Sequence, residues 1–466
     1  MNELTIELST ENGKCLYEQI YEYIRKEIRE GKLLQGEKLP STRALAAFLQ
    51  VARSTVELAY EQLLSEGYIE SIPYKGYFVC RMEELYHINM ETEESESEKS
   101  EQKTVYEIDF SPNGIEMEYF PFGTWKRISK NTLIDDRSEM FALGSPQGDL
   151  ELRTTIAKYL YSSRGVYCSP EQIIVGAGND FLLLLLEKIL GRHVKIGMEA
   201  KTYKRAYRIF DSFAYDIHPI LQDRDGMVVE ELEREEVSAV YVMPSHQYPT
   251  GNVMPIGRRT QLLKWAYEKE ERYIIEDDYD SEFRYKGKPI PSLKASDKME
   301  KVIYIGTFSK AIAPAIRISF MVLPKKLLKF YKENLSFYSS TVSRIDQTIL
   351  NEFIRDGYFE RYLNKMRKVY KAKHDLIVAG CRELEEQFVL SGENAGLHIL
   401  LKSKTGKTEK ELIECAAAYD IKVYGLSDGY ITKERPETNT VILGYGGLSE
   451  EKIKKGMDKL KKAWSV

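Results

Sequence analysis

The sequence predicts an α/β protein in which a small helical head precedes a long body built on a mostly parallel sheet. The chain has 466 residues, more than one ordinary hydrophobic core accommodates. The segment METEESESEKSEQK is almost wholly polar and cannot bury apolar surface, which indicates a linker. After it, apolar runs such as VSAVYVMP and KVIYIGT alternate with helical stretches, the rhythm of β-α-β units. We therefore expect a head at 1–80, an acidic flexible linker at 81–107 and a body at 108–466.

Composition restricts the compartment and the partners. The net charge of −5 gives no overall attraction to nucleic acid, so any DNA-binding surface must come from local charge. The five cysteines are scattered without a C-x-x-C pair, a pattern typical of reduced thiols. The start MNELTIELST is unlike a signal peptide, and the apolar burst FLLLLLEKIL is too short to span a bilayer. We expect a soluble, cytoplasmic protein without membrane contact, and we predict no metal ligands.

The head has the pattern of a winged helix-turn-helix. Two helices joined by a short turn at 50–52 follow a first helix, and Ser41 and Ser54 are placed to cap them. The segment GYIESIPYKGYFV then predicts two short strands around Lys75 and Gly76. Apolar residues recur on one face of the first helix: Leu16, Ile20, Ile24 and Ile28.

Short polar side chains at the exposed start of the second helix of this motif are suited to reading DNA. Arg53, Ser54 and Thr55 can reach base edges and phosphates in a major groove. The alternative is a helical hairpin that serves packing alone. The residues expected to flank the reading helix on the DNA are Ser41, Arg43, Lys75 and Gly76.

The stretch GEKLPSTRALAAFLQVARSTVELAYEQLLSEGYI resembles the DNA-binding domain of the GntR family of bacterial repressors over nearly the whole head. The resemblance implies binding to double-stranded promoter DNA. Glu57 departs from it, because some members of that family have a basic residue in the reading helix, so the preferred operator stays open.

A run of three acids marks the body. In YIIEDDYDSEFRY, the residues Glu276, Asp277 and Asp278 follow an apolar strand, where like charges repel one another and lose hydration. A metal, a basic side chain or a cationic ligand is needed to compensate them. Asp277 and Tyr279 lie on the same side of an extended chain, so Glu276 and Asp278 are expected to point elsewhere.

A lysine follows the next strand. In KVIYIGTFSKAIAPAIRISF, Lys310 comes after a strand that ends near Gly306, and the carboxyl edge of a parallel sheet is where ligands bind. An amine there can form a Schiff base with a carbonyl cofactor, although a lone S-x-K string is more often a surface lysine.

Pyridoxal phosphate (PLP) fits the groups available. Lys310 would take its aldehyde, Asp277 would pair with its ring nitrogen, and Tyr279 would donate to its phenolate oxygen. Tyr203 is the candidate for ring stacking, with a core tyrosine as the alternative in a chain of 32 tyrosines. The phosphate cradle is predicted from the glycine-rich turn VGAGND before a helix and from the lysine loop: Ala177, Gly178, Asn179, Thr307, Ser309 and Arg317.

The motifs GSPQGDLELR, GAGND, PSHQYPTG, EDDYD and GTFSKAIAPAIR in this order resemble fold-type I aminotransferases over about 108–466. With the GntR-like head, the whole chain resembles the MocR class of transcriptional regulators, which includes the GabR and PdxR types. The resemblance implies a fold-type I body with a smaller C-terminal α+β subdomain. It also implies a PLP-binding effector sensor and a head-to-tail homodimer.

Two residues depart from the aminotransferase pattern. Tyr248 stands before the P-T-G turn, where those enzymes usually have an asparagine, and Ile442 stands close to where an arginine commonly clamps the substrate carboxylate. Arg205 could bind one effector carboxylate, as the matching arginine is thought to do in the GabR type. Because a second arginine is missing at Ile442, we predict that PLP itself is the signal and that the protein governs vitamin B6 supply.

Three functions therefore compete. The leading interpretation is a PLP-responsive transcriptional regulator with at most partial transamination. The rivals are a working aminotransferase with an accessory DNA-binding head, and a DNA-binding protein with an inert body. The head favours regulation, whereas Lys310, Asp277, Tyr279 and Arg317 disfavour the inert body.

Overall fold

The computed structural model describes residues 6, 8, 14–80, 105–134, 138–285, 290–432, 434 and 436–465. The chain forms two compact units, Met1–Thr104 and Val105–Val466. Of the linker predicted at 81–107, residues 81–104 lie outside the described residues. Within the described ranges, no helix is long and apolar enough to cross a membrane.

The head is a winged helix-turn-helix, as predicted. Its core is made where the apolar face of the first helix meets the third, with Ile20, Ile24, Val56 and Tyr60 all at 0% exposure. The elements are α1 (Leu16–Arg29), α2 (Thr42–Leu49), α3 (Arg53–Ser65), β1 (Ile69–Ile72) and β2 (Gly76–Val79).

One of the two predicted helix caps is present. Ser41 Oγ accepts a hydrogen bond from the amide of Ala44 at 3.2 Å at the start of α2. The predicted cap at Ser54 is wrong, because Ala52 has the extended backbone that precedes a helix, with φ −62° and ψ 142°. Helix α3 therefore begins two residues earlier than the sequence suggested, and Ser54 is its second residue.

The wing is a tight antiparallel hairpin. Strand β1 pairs with β2 from Ile69 opposite Val79 to Ile72 opposite Gly76. Gly76 has a φ of +107°, a conformation that residues with a Cβ rarely adopt, which explains a glycine at this point. Lys75 is exposed at the turn.

The body combines a large, mostly parallel sheet with helices on both faces, as the alternating pattern predicts. Its helices are α4 (Phe122–Ile134), α5 (Leu150–Arg164), α6 (Gly178–Leu190), α7 (Lys204–Ser212), α8 (Glu230–Arg234), α9 (Ile256–Tyr267), α10 (Leu293–Ser296), α11 (Lys325–Asn334), α12 (Arg344–Arg355), α13 (Tyr358–Arg382), α14 (Glu409–Ala417) and α15 (Glu450–Trp464). Its strands are β3 (Ile108–Asp109), β4 (Ile173–Gly176), β5 (Lys195–Glu199), β6 (Asp216–Ile220), β7 (Gln222–Asp223), β8 (Gly226–Met227), β9 (Ala239–Val242), β10 (Tyr273–Asp278), β11 (Val302–Thr307), β12 (Ser319–Val322), β13 (Phe388–Ser391), β14 (His398–Ser403), β15 (Ile421–Lys422), β16 (Tyr424–Gly425) and β17 (Thr440–Gly444).

The large sheet has the order β4-β12-β11-β10-β9-β5-β6. Strand β12 runs antiparallel to both of its neighbours, and the other adjacent pairs are parallel. Alternate residues of β10 serve opposite faces: Ile274 packs in the cluster that contains Leu262 of α9, and Ile275 packs in the cluster that contains Leu182 of α6. A strand buried on both faces explains the unbroken apolar run that precedes the acids.

A second, smaller sheet confirms the predicted C-terminal α+β subdomain. It is antiparallel, with the order β13-β14-β17-β16. Ile399 of β14 and Leu443 of β17 are fully buried in a cluster that also holds Met457 of α15 and Ile377 of α13. The helices α13 and α15 therefore cover this sheet.

Candidate functional site

The carboxyl ends of β10 and β11 lie at a cavity of about 200 Å³ in the body. Gly178 and Ala177 lie at the start of α6 beside it, in the same turn as Asn179. The predicted site residues that line the cavity are Asn179, Tyr203, Arg205, Asp277, Tyr279, Thr307, Ser309, Lys310 and Arg317.

The three acids of β10 have three different environments. Glu276 accepts hydrogen bonds from the amides of Leu293 (2.7 Å) and Lys294 (2.8 Å), so it stabilises the start of α10. Asp278 accepts hydrogen bonds from Arg164 Nε and from the Tyr304 hydroxyl. Neither carboxylate lines the cavity, and strand alternation is the reason.

Asp277 is the acid that faces the cavity. It is 3% exposed and accepts hydrogen bonds from the Tyr241 hydroxyl and from Asn179 Nδ2, at 3.3 Å to Oδ2. Burial raises the pKa of Asp277 to about 7, with the charge of Asp278 adding to the effect. A cation placed against this carboxylate would reverse the effect of burial.

Lys310 also lines the cavity and is held by a backbone carbonyl. Its Nζ donates to the carbonyl oxygen of Pro112 at 3.1 Å. Burial lowers the pKa of the Lys310 amine, against the opposing effect of Asp280. A lowered pKa increases the fraction of neutral amine, which is the nucleophilic form.

The phosphate cradle is only partly as predicted. Arg317 packs against Gly178, where an added Cβ would lie 2.7 Å from Arg317 Cζ, so this position requires glycine. The amide of Ala177, predicted to bind phosphate, donates instead to Oγ1 of Thr341 at 3.0 Å. Thr307 Oγ1 accepts hydrogen bonds from the amide of Ser309 and from the hydroxyl of Ser319.

Asp180 is a site residue that the sequence did not reveal. Its Oδ2 accepts hydrogen bonds from Nη2 of Arg317 at 2.8 Å and from Nη2 of Arg205 at 2.5 Å. Arg205, predicted to bind an effector carboxylate, is therefore already paired with a carboxylate of this chain. Both arginines remain about half exposed.

Aromatic rings form one wall of the cavity. Tyr203 and Tyr248 make an edge-to-face contact with centroids 5.8 Å apart, and Tyr248 makes another with Tyr279 at 6.3 Å. Tyr248, which replaces the asparagine usual in the enzymes, is thus a cavity residue that packs between two predicted ones. Such rings can flank a flat heterocycle.

A buried histidine pair next to Lys310 was also missed. His246 Nδ1 lies 2.8 Å from Asp280 Oδ2 and 2.9 Å from the Tyr279 hydroxyl, the group predicted to donate to the cofactor. His398 lies beside His246, and burial lowers the pKa of His398 to about 3. The sequence signal was present, because His246 belongs to the HQYPTG segment and Asp280 to the EDDYD run.

Ile442 does not line the cavity. It lies within β17, between Leu400 and Tyr424 in the small sheet, and is buried. The residues of the small subdomain that do line the cavity are Leu397 and His398. Ile442 therefore cannot serve as the marker of a missing arginine clamp.

Polar atoms in the site test whether PLP fits. Within the described part of the chain, Ser309 Oγ, Asn179 Oδ1 and His246 Nε2 are buried without a hydrogen-bond partner. Buried polar atoms are normally satisfied, so the two that belong to cavity residues, Ser309 Oγ and Asn179 Oδ1, indicate a polar ligand. A lysine, a carboxylate, aromatic rings and a cationic end are the donor set that PLP requires, and the residues fit it.

The DNA-binding residues predicted in the head lie on its surface. Arg53 and Ser54 are exposed at the start of α3, and Thr55 is half-buried. Arg53 Nε is 2.7 Å from Glu57 Oε1, one helical turn later. The flanking positions are exposed, except for the half-buried Gly76: Ser41, Arg43 and Lys75.

Comparison with known proteins supports the assignments of both the head and the body. Residues 16–79 match the family of bacterial regulatory proteins, gntR family, and residues 117–432 match aminotransferase class I and II. The HTH-type transcriptional regulator YdeL of Bacillus subtilis is 43% identical, over 97% of each chain. The HTH-type pyridoxine biosynthesis transcriptional regulator PdxR of Corynebacterium glutamicum is 29% identical, over 97% of this chain and 96% of its own.

Among solved structures, the kynurenine aminotransferase of Pyrococcus horikoshii, in complex with PMP, kynurenine and kynurenic acid, is similar to the body. Its TM-score is 0.67 at 26% identity, covering 78% of this chain and 93% of that one. The body is thus a PLP-binding domain of the aminotransferase class, joined to a DNA-binding head. The probable rhizopine catabolism regulatory protein MocR of Rhizobium meliloti is 31% identical, over 96% of this chain and 94% of its own, so the chain belongs to the MocR class of transcriptional regulators.

Proposed function

We propose that this regulator uses PLP itself as its signal and controls genes of vitamin B6 supply. When bound, PLP supplies an aldehyde, an electron-withdrawing ring and a phosphate. Lys310 would hold the aldehyde end of PLP through its amine, whose neutral form is the nucleophilic one. The lowered pKa of the Lys310 amine supports this role.

Residues around the ring would orient it. Asp277 would pair with the protonated ring nitrogen, because a buried carboxylate whose pKa is about 7 gains most from a neighbouring cation. The Tyr279 hydroxyl, 2.9 Å from His246, would donate to the phenolate oxygen. Tyr203 would stack on the ring, with Tyr248 against its edge.

Residues at the Arg317 end of the cavity would hold the phosphate. Arg317 supplies the charge, and Thr307 and the orphaned hydroxyl of Ser309 supply hydrogen bonds. The amides of Gly178 and Asn179 at the start of α6 add a favourable helix dipole. Ala177 is excluded from this set, since its amide already donates to Thr341.

The charged residues that line the cavity favour PLP over an amino acid as the signal. Of the described residues, the arginines that line it are Arg205 and Arg317, and both contact Asp180. With Arg317 assigned to the phosphate, Arg205 alone remains for an effector carboxylate. An amino acid would thus have to compete with Asp180 for one guanidinium, which disfavours amino-acid effectors. The likeness to a pyridoxine biosynthesis regulator supports the same choice.

The head would bind the promoter. Arg53, Ser54 and Thr55 would read bases, and Ser41, Arg43, Lys75 and Gly76 would contact the backbone. Membership of the MocR class supports a head-to-tail homodimer as the functional unit, with two heads on one promoter.

Promoter affinity tests the proposal. Protein stripped of PLP and protein reloaded with it should differ in affinity for DNA from the intergenic region beside the gene. A panel of amino acids, including γ-aminobutyrate, should change neither that affinity nor the visible absorption of the bound cofactor. A single amino acid that shifts both at physiological concentration would assign the protein to the GabR type instead.

A further inference from the structure

The predicted phosphate end of the cavity contains a carboxylate of the chain itself. Asp180 Oδ2 accepts a hydrogen bond from Arg317 at 2.8 Å and from Arg205 at 2.5 Å. A single oxygen is therefore shared by the two arginines that line the cavity. Its carboxylate is 30% exposed, so water screens the pairs only in part.

Asp180 also occupies a favourable position in its helix. It is the third residue of α6, where the positive end of the helix dipole attracts a negative charge. The same helix start and the same Arg317 are the groups that suit a phosphate monoester. An anion that binds here must share both with Asp180 or displace it.

The charge balance shows the size of the competition. Arg205 and Arg317 bring two positive charges, and Asp180 removes one of them. A phosphate monoester carries between one and two negative charges at neutral pH, so its complex places negative charges against one another within the same few ångströms. Repulsion of unit charges over such distances is a large effect in a partly shielded site.

We propose that Asp180 is an internal competitor for the cofactor phosphate, which weakens PLP binding and makes it reversible. The inference rests on the proposed function, in which PLP is the signal. A sensor must release its ligand when the free ligand concentration falls. A sensor that binds too tightly would stay in its ligand-bound state at every concentration. Asp180 supplies the opposing interaction from within the chain.

The test measures PLP affinity without DNA and without catalysis. Wild-type, Asp180→Asn and Asp211→Asn proteins are stripped of PLP, and the dissociation constant is obtained from the visible absorption of bound cofactor. Asp211 is an exposed acid on α7, the helix that carries Arg205, so it controls for the change in net charge. Asp180→Asn should bind PLP about tenfold more tightly, and Asp211→Asn should match wild type.

Two further ligands locate the effect at the phosphate. Pyridoxal, which lacks the phosphate, should bind wild type and Asp180→Asn equally. The inhibition constant of inorganic phosphate against PLP binding should be about tenfold lower in the variant. Asp180→Ser repeats the measurement with a different side chain that helix starts accept, so a folding failure of one variant does not end the test.

Equal PLP affinity of wild type and both Asp180 variants would overturn the inference, and so would an equal gain for pyridoxal. The proposed function fails in a different way. The Asp180 variants could bind PLP more tightly while promoter affinity is the same with and without PLP. That result would support Asp180 as a competitor and refute PLP as the signal.

Discussion

Oδ2 of Asp278 lies 2.7 Å from Nε of Arg164 in an ion pair in which both side chains are at most 5% exposed. Its neighbour Asp277 accepts hydrogen bonds from Tyr241 and Asn179, which are neutral donors. Asp278 is thus compensated by a cation within the fold, whereas Asp277 would be compensated by the cationic ring nitrogen of PLP under the proposed function. This difference underlies the predictions for Asp277 and Arg164.

Lys310→Ala should abolish the visible absorption band of lysine-bound PLP and leave the fold intact. The alanine has no amine to condense with the aldehyde, and the side chain makes one hydrogen bond, to Pro112. Absorption spectra of the reloaded protein and circular dichroism measure the two effects. Lys325→Ala, an exposed lysine on α11, is the control. An unchanged band in Lys310→Ala would contradict the assignment.

Asp277→Asn should stabilise the PLP-free protein at pH 8 by about 1–4 kcal/mol and by less at pH 5. Burial raises the pKa of Asp277 to about 7 from an ordinary value of 3.8, so the folded state binds a proton that the unfolded chain has lost. Stability conferred by the neutral carboxyl is therefore lost as pH rises from about 4 to 7. Urea unfolding at the two pH values measures the difference.

The same Asp277→Asn substitution should weaken PLP binding, because the amide cannot pair ionically with the ring nitrogen. Stability and affinity would then move in opposite directions at pH 8. A variant that is less stable than wild type at pH 8 would show that the carboxylate is already compensated within the protein.

Arg164→Ala should lower the free energy of unfolding by about 3–5 kcal/mol, since it leaves the buried Asp278 without its cation. Arg164 also donates to the Ile290 carbonyl and to Ser245. The double variant Arg164→Ala/Asp278→Asn should recover part of the loss. Arg355→Ala, which removes an exposed ion pair with Asp356, should change stability by about 1 kcal/mol or less. A similar effect of both single variants would refute the reasoning.

Arg53→Ala should weaken specific promoter binding by about 1–3 kcal/mol if Arg53 contacts a base edge. Lys75→Ala should instead weaken binding to all sequences and reduce its salt dependence. Glu57→Gln should raise affinity, because Glu57 holds Arg53 Nε at 2.7 Å. Arg29→Ala, on the exposed surface of α1, is the control. Binding isotherms are measured at two salt concentrations. Equal DNA affinity of all four variants would refute the assignment of this surface to DNA binding.

The predictions that succeeded were those set by local periodicity. Alternation along β10 is a property of any strand, so it separates Asp277 from Glu276 and Asp278 without further knowledge. The winged head and the mostly parallel sheet follow from patterns of the same kind.

The errors and omissions in the body's site arose from contacts between distant segments. The amide of Ala177 is taken by Thr341, and Asp180 meets Arg205 and Arg317, because tertiary packing brings these groups together. Ile442 was misplaced for a related reason. Which residue of β17 faces the cavity depends on how the small sheet packs against the rest of the body. Such information is absent from a single stretch of sequence.

Strand β12 has a consequence for how the protein is made. Ser319, at its start, pairs with Thr307 at the end of β11 and with Gly176 at the end of β4. The ribosome delivers β4 and the glycine turn long before β12 and Arg317, so a nascent chain holds half of the phosphate cradle. Under the proposed function, cofactor uptake would follow translation of most of the sheet. Each molecule would then first respond to the PLP concentration that it meets after synthesis.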